Sequence, residues 1–300
     1  MDRRQFLARS AAFAALAAAG CASDDDRMGR PGKPPFRISL AEWSYHQAIF
    51  GKKMTHLDFP IVARRQHGID AIELVNQFFM DKAADRSYLA EFKRRADGEG
   101  VAIQLIMCDD EGDLGDVDPA RRRQAVANHH KWADAAKYFG CHCIRVNAET
   151  GGKGSREEQQ KRAADGLREL TVYCAGLGLD CIVENHGGLA SDGKWLVGLM
   201  RRVDHRRAGL LPDFGNWYDY DRYQGVTDMM PYAKAVSAKS YDFDASGNCT
   251  ETDYVRMLKI VLAAGYHGWL GIEYEGEHLA ERDGINATKL LLERLKLQRA

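Results

Sequence analysis

The chain has 300 residues, 45% of them apolar, and a formal net charge of −1. That is enough for one large core, and a β/α barrel typically needs about 250 residues. A near-neutral chain offers no global electrostatic case for nucleic acid or for a membrane surface.

The N-terminus reads as an address. Arg3-Arg4-Gln5-Phe6-Leu7 is a twin-arginine pattern, and an Ala-rich apolar stretch over residues 11–19 follows it. That stretch is too short to span a bilayer and has signal-peptide form. Ala18-Ala19-Gly20-Cys21 resembles a bacterial lipobox, with Cys21 as the lipidated first residue of the mature chain. Residues 1–21 are therefore expected to be a signal peptide, 22–35 a polar tether, and 36–300 the folded domain. The expected location is the periplasm, with a lipid anchor as the membrane contact. Six cysteines besides Cys21 remain, and three of them (Cys108, Cys143 and Cys181) fall in apolar runs. The expectation is mostly free core thiols, although six is even and an exported chain meets an oxidising compartment.

From residue 37 onward, strand-length apolar runs alternate with helical patterns. The strand candidates are residues 37–43, 71–75, 102–108, 143–147, 179–184, 209–212, 235–239 and 269–274. Helical spacing or composition covers 57–67, 86–99, 119–139, 156–177, 194–203, 229–232 and 252–264, with a closing amphipathic helix over 284–297. Gly68, Gly100, Gly140, Gly178 and Gly265 each end a helix shortly before the next strand. Asp118-Pro119 and Thr252 read as helix starts. Eight such units predict an α/β fold, a single (β/α)8 TIM barrel behind a signal peptide and short tether.

Charged groups at the ends of apolar strands are where such a barrel keeps its chemistry. Glu184, Asp213 and Glu273 end strands five, six and eight. Three carboxylates in one mouth repel unless a cation or protons neutralise them. The bland alternative is that one or two of them cap a helix or pair with arginine. All-oxygen ligation points to Mn²⁺ or Mg²⁺, with Co²⁺ or Zn²⁺ as the other candidates. Lys239, on apolar strand seven, is either a structural cation or an electrophile beside a developing oxyanion. His186 follows strand five. Arg145 and Asn147 share one face of strand four. Glu73 is placed at the end of strand two, Asp109 at the end of strand three, and Trp43 and His46 at the end of strand one. Phe78-Phe79 would offer an aromatic wall to a sugar ring or pack on a neighbouring loop. His186, Arg145, Asn147, Glu73, Trp43 and His46 are the candidate substrate contacts.

Four phrases carry a family resemblance: Val183-Glu184-Asn185-His186-Gly187-Gly188, Pro212-Asp213-Phe214-Gly215-Asn216, Ser237-Ala238-Lys239-Ser240 and Gly271-Ile272-Glu273-Tyr274-Glu275. With them the chain resembles the xylose isomerase-like TIM-barrel superfamily, from about residue 36 to the end. That superfamily spans sugar isomerases, ketose epimerases, dehydratases and endonuclease IV. The resemblance implies a metal held by Glu184, Asp213 and Glu273. The family's strand-seven histidine ligand is replaced here by Ser237, and its Asp-X-X-His phrase ends here at Asn216. Ser237 thus becomes a candidate ligand and Asn216 a candidate substrate contact. The implied reaction is isomerisation or epimerisation of a small-molecule keto or aldo sugar through an enediolate, with Glu184 and Glu273 exchanging the proton and Lys239 assisting. A keto-sugar lyase or dehydratase is the runner-up. A non-catalytic sugar-binding lipoprotein is the rival of another class. An endonuclease is disfavoured by the missing histidines and the charge, and no nucleic-acid partner is expected. A homo-oligomer is compatible with the sequence.

Overall fold

The computed structural model describes residues 34–297. The twin-arginine pattern, Cys21 and all but the end of the tether lie outside the described residues. Among the described residues, no helix is long and apolar enough to cross a membrane.

Eight parallel strands form one sheet: β1 (Arg37–Ala41), β2 (Ala71–Val75), β3 (Ala102–Cys108), β4 (Cys143–Val146), β5 (Asp180–Glu184), β6 (Ala208–Leu211), β7 (Val236–Ser240) and β8 (Trp269–Tyr274). The hydrogen-bonded order runs β6-β5-β4-β3-β2-β1-β8-β7. The remaining seam, between β6 and β7, is closed by parallel bridges Leu210–Ala233 and Asp213–Ser237. Around this barrel lie α1 (Phe59–His67), α2 (Arg86–Glu99), α3 (Pro119–Phe139), α4 (Arg156–Gly176), α5 (Gly193–Val203), α6 (Arg222–Met229), α7 (Tyr254–Ala263) and α8 (Glu281–Leu297). The expected (β/α)8 barrel is what the chain forms.

Local chemistry sets the boundaries. Asp85, Asp118, Ser155, Asp192, Asp221 and Asp253 each accept a backbone N–H in the first turn of the helix they precede. Such caps satisfy orphan donors and are worth about 1 kcal/mol each. The five glycines read as helix ends all sit at positive φ, from 64° at Gly68 to 82° at Gly140. The six cysteines of the barrel are unpaired and buried, as expected.

The structure departs from expectation in three places. β1 stops at Ala41, and residues Glu42–Tyr45 form a 3-10 turn. The turn lets Glu42 drop inward, where it accepts from Val75 N and pairs with His56 Nδ1 at 2.7 Å. The helix expected only at 229–232 is α6, followed by a 3-10 turn over Met230–Tyr232. Its sequence hid it, because Gly225 lies mid-helix where Trp217 packs against the backbone. Finally, α7 is capped by Asp253 rather than Thr252, whose hydroxyl accepts from Arg222 instead.

Candidate active site

Strand alternation sends every second residue into the barrel. The inner file is first apolar: Ala41, Val75, Leu105, Met107, Cys143, Ile182 and Leu211 form one buried cluster. Two residues further along β3 to β6 the same file becomes polar. Asp109 follows Met107, Arg145 follows Cys143, Glu184 follows Ile182, and Asp213 follows Leu211. Ser237 and Lys239 on β7, and Glu273 on β8, complete the ring.

Glu184, Asp213 and Glu273 converge. Each offers a carboxylate oxygen, and these atoms lie within 4.8 Å of one another, all buried. Asp213 Oδ1 accepts from the backbone of Gly215 at 2.8 Å and of Asn216 at 2.7 Å, while Oδ2 has no hydrogen-bond partner. Glu184 Oε1 accepts from Asn216 Nδ2 at 3.0 Å. Its Oε2 lies 2.7 Å from Arg145 Nε as an ion pair, out of hydrogen-bond alignment. Ser237 Oγ is likewise buried, beside the Asp213 carboxylate and without an aligned hydrogen bond. Asn185 braces the site from behind, donating to Asp213 O at 3.1 Å and accepting from Asp213 N at 2.7 Å.

Two cations stand among these acids. Lys239 Nζ lies 2.9 Å from Glu273, 3.3 Å from Glu275 and 3.0 Å from Asn216 Oδ1. Arg145 reaches Asp109 at 2.5 Å as well as Glu184, and Asn147 donates to the same Asp109 oxygen at 2.7 Å. Burial lifts Glu184 from 4.5 to about 8, with the charges of Glu273 and Asp213 adding to it and Arg145 opposing. Burial also lifts Asp213, to about 6, against the pull of Lys239. For Lys239, burial works against the charge, but the surrounding carboxylates, Glu273 foremost, hold its pKa well above the ordinary lysine value. Asp109 is half-buried, and although that raises its pKa, Arg145 keeps it below the usual carboxylate range. His186 stands exposed at the cavity wall, where partial desolvation by its neighbours and the charge of Arg145 lower its pKa, which favours a neutral imidazole.

The mouth opens on a cavity of about 200 Å³, lined by Trp43, Asp109, Arg145, Asn147, His186, Glu273 and Glu275 among others. Of the sequence-derived residues, the structure thus brings Trp43, Arg145, Asn147, His186 and Glu273 to one cavity. Glu184, Asp213 and Lys239 are joined through Asn216, and they reach the cavity lining through Arg145 and Glu273. His46 stands behind Trp43, stacked on its ring at 4.9 Å, with Nδ1 on the Trp43 carbonyl. Glu73 is not brought to the mouth. It lies mid-strand in β2, 1% exposed, accepts from Ser39 Oγ at 2.6 Å, and nests against Gly271. Asp109 and Glu275 also line the cavity, although neither was among the substrate contacts expected from the sequence. Their signal was present: each lies two residues beyond an inward position of its strand.

A C-glycoside deglycosidase alpha subunit from Arthrobacter globiformis is 38% identical over 65 residues, 21% of this chain; the match spans 18% of that relative's length. A xylose isomerase-like TIM-barrel protein from Mycobacterium smegmatis, solved in complex with magnesium, shares 19% identity at a TM-score of 0.66, over 88% of this chain and 98% of that one. An L-ribulose 3-epimerase structure shares 14% identity at a TM-score of 0.72, covering 88% and 95% of the two chains. Residues 62–297 match the family described as Xylose isomerase-like TIM barrel, and the chain belongs to that family.

Proposed function

We propose that the chain is a metal-assisted sugar isomerase or epimerase. The observation that carries this reading is the buried triad of Glu184, Asp213 and Glu273, whose carboxylate oxygens lie within 4.8 Å of one another, with Asp213 Oδ2 left without a hydrogen bond. Lys239 and Arg145 offset part of the repulsion among these acids, yet Glu184 and Asp213 remain raised, so a further cation would still lower the cost of holding three carboxylates together. An all-oxygen set fits a hard divalent cation such as Mn²⁺ or Mg²⁺, and the unpartnered oxygens of Asp213 and Ser237 are what a bound ion would satisfy. Glu184, Asp213 and Glu273 would hold it, with the Ser237 hydroxyl as a further donor. When bound, such an ion polarises a sugar carbonyl and its neighbouring hydroxyl and acidifies the C–H between them.

The chain's own groups then handle the proton. Glu273, ion-paired to Lys239, stands on β8, and Glu184 stands on β5 across the mouth. One removes the proton and the other returns it, to the opposite face for epimerisation or to the neighbouring carbon for isomerisation. Lys239, held by Glu273, Glu275 and Asn216, would donate to a developing oxyanion by giving up one of those partners. Arg145, Asn147 and neutral His186 supply directional contacts for sugar hydroxyls. A substrate carrying a leaving group β to the carbonyl would eliminate it through the same residues. Residues 1–21 would export the protein, and Cys21 would carry the lipid anchor.

The test is elemental analysis of the folded domain beside Asp213→Asn, followed by NMR of keto sugars in deuterated water. About one divalent ion per chain, lost in the variant, with sugar C–H exchange in the wild type, supports the reading. No bound ion under replete conditions and no exchange would favour a non-catalytic sugar-binding protein.

A further inference from the structure

Strand β1 leaves the sheet before its neighbours do. Its last pairings are Ala41 with Glu73 on β2 and Leu40 with Ile272 on β8, while β2 runs on to Val75 and β8 to Tyr274. Backbone groups on the β1 side of those two strand ends lose a strand partner, and buried backbone groups need one. Two side chains of the turn after β1 take its place. Glu42 Oε2 accepts from Val75 N at 3.2 Å. On the other side, Ser44 Oγ accepts from Tyr274 N at 2.9 Å and donates to the Ile272 carbonyl at 3.2 Å. Both residues are fully buried.

His56, at the far end of the same loop, fixes the Glu42 carboxylate in turn. Its Nδ1 lies 2.7 Å from Glu42 Oε1, and its ring stacks on Phe79 and on Phe92, 4.2 Å from each. A buried acid–imidazole pair is costly to desolvate and a poor source of stability. What it secures here is the path of the chain. Trp43 stands between Glu42 and Ser44, and of the three it is the one that lines the cavity. Its ring stacks on His46 at 4.9 Å and on Phe78 at 5.9 Å. With the residue before it tied to β2 and the residue after it tied to β8, Trp43 cannot swing without breaking buried hydrogen bonds. A wall fixed in this way costs little ordering entropy when a ligand packs on it.

We propose that Glu42 and Ser44 are positioning residues: they stand in for the missing β1 backbone on both sides of Trp43 and hold its ring as a fixed wall of the cavity, with His56 holding Glu42. The use of that wall rests on the sugar reading above. The apolar face of the sugar lies on Trp43, and the fixed ring sets its tilt against Glu273 on the adjacent strand.

The experiment is fluorine NMR of the ligand-free protein labelled with 5-fluorotryptophan. The five tryptophans give five lines, and Trp43→Phe identifies the line of Trp43. The wild type shows one narrow Trp43 line. Ser44→Ala and Glu42→Leu each broaden or split that line while the other four keep their positions. His56→Phe, which keeps the stacked ring but frees the Glu42 carboxylate, broadens it too. Glu42→Gln, which keeps an acceptor for Val75 N, retains the narrow line. A Trp43 line as narrow in Ser44→Ala and Glu42→Leu as in the wild type, or one already split in the wild type, would overturn the proposal. Movement of all five lines together in both variants would also overturn it, because these residues would then be determinants of the fold alone. The measurement uses no substrate, so each of those results leaves the sugar reading standing, and failure of the sugar reading shows in the exchange test above and not here.

Discussion

Replacing Glu73 by Gln should remove a pH dependence of stability that the barrel interior imposes. The Glu73 carboxyl is 1% exposed, has one partner in Ser39 Oγ, and leaves Oε2 without a hydrogen bond. Burial, with a smaller contribution from the charge of Glu273, lifts its pKa from 4.5 to about 7. Below 4.5 the group is protonated in both folded and unfolded chains, and its contribution to stability is fully present. As pH rises toward 7, the unfolded chain ionises first and the native state loses ground. Above 7 the loss is complete. A shift of roughly 2.5 units at about 1.4 kcal/mol per unit gives about 3.5 kcal/mol in all, of which about 2.5 falls between pH 5 and 8.5. Glutamine keeps the shape and the acceptor for Ser39 without the ionisation. Urea unfolding of wild type and Glu73→Gln at pH 5, 6, 7 and 8.5 should therefore show the variant gaining on the wild type as pH rises. Curves that stay parallel across that range would refute the argument that burial keeps this carboxyl protonated.

Three further outcomes are expected. Glu184→Gln and Glu273→Gln should each lower turnover by about 10²–10⁴-fold, the usual range for a positioned acid or base; retention of wild-type kcat in either would remove that residue from the proton path. Ser237→His should tighten metal binding by about tenfold, equivalent to about 1.4 kcal/mol, read by competition with a chelator; unchanged affinity would mean that the β7 side chain does not face the ion. Gly225→Ala would place a Cβ 2.2 Å from the Trp217 ring, and overpacking of that kind costs about 1–3 kcal/mol; an unaltered thermal midpoint would show that the α6–Trp217 packing is looser than described.

The sequence by itself determined the barrel. Helix–Gly–strand phrasing is local chemistry: a left-handed turn that glycine tolerates and a cap that Asp or Ser supplies act within a few residues. Glu184, Asp213 and Glu273 were legible for the same reason, since each ends an apolar strand and strand ends share one rim of the barrel. Tertiary structure alone decided what depends on distance across the barrel. Glu73 looked like a mouth residue, but its height in the barrel depends on where β2 pairs with its neighbours, and Gly271 on β8 leaves the space it occupies. Glu42 read as part of a strand, and only His56 packing beneath it shows why the chain turns there. The pairing of Arg145 with both Asp109 and Glu184, and of Lys239 with Glu273 and Asn216, joins residues far apart in the chain. Strand alternation tells which side chains point inward, but register and barrel closure decide which of them meet.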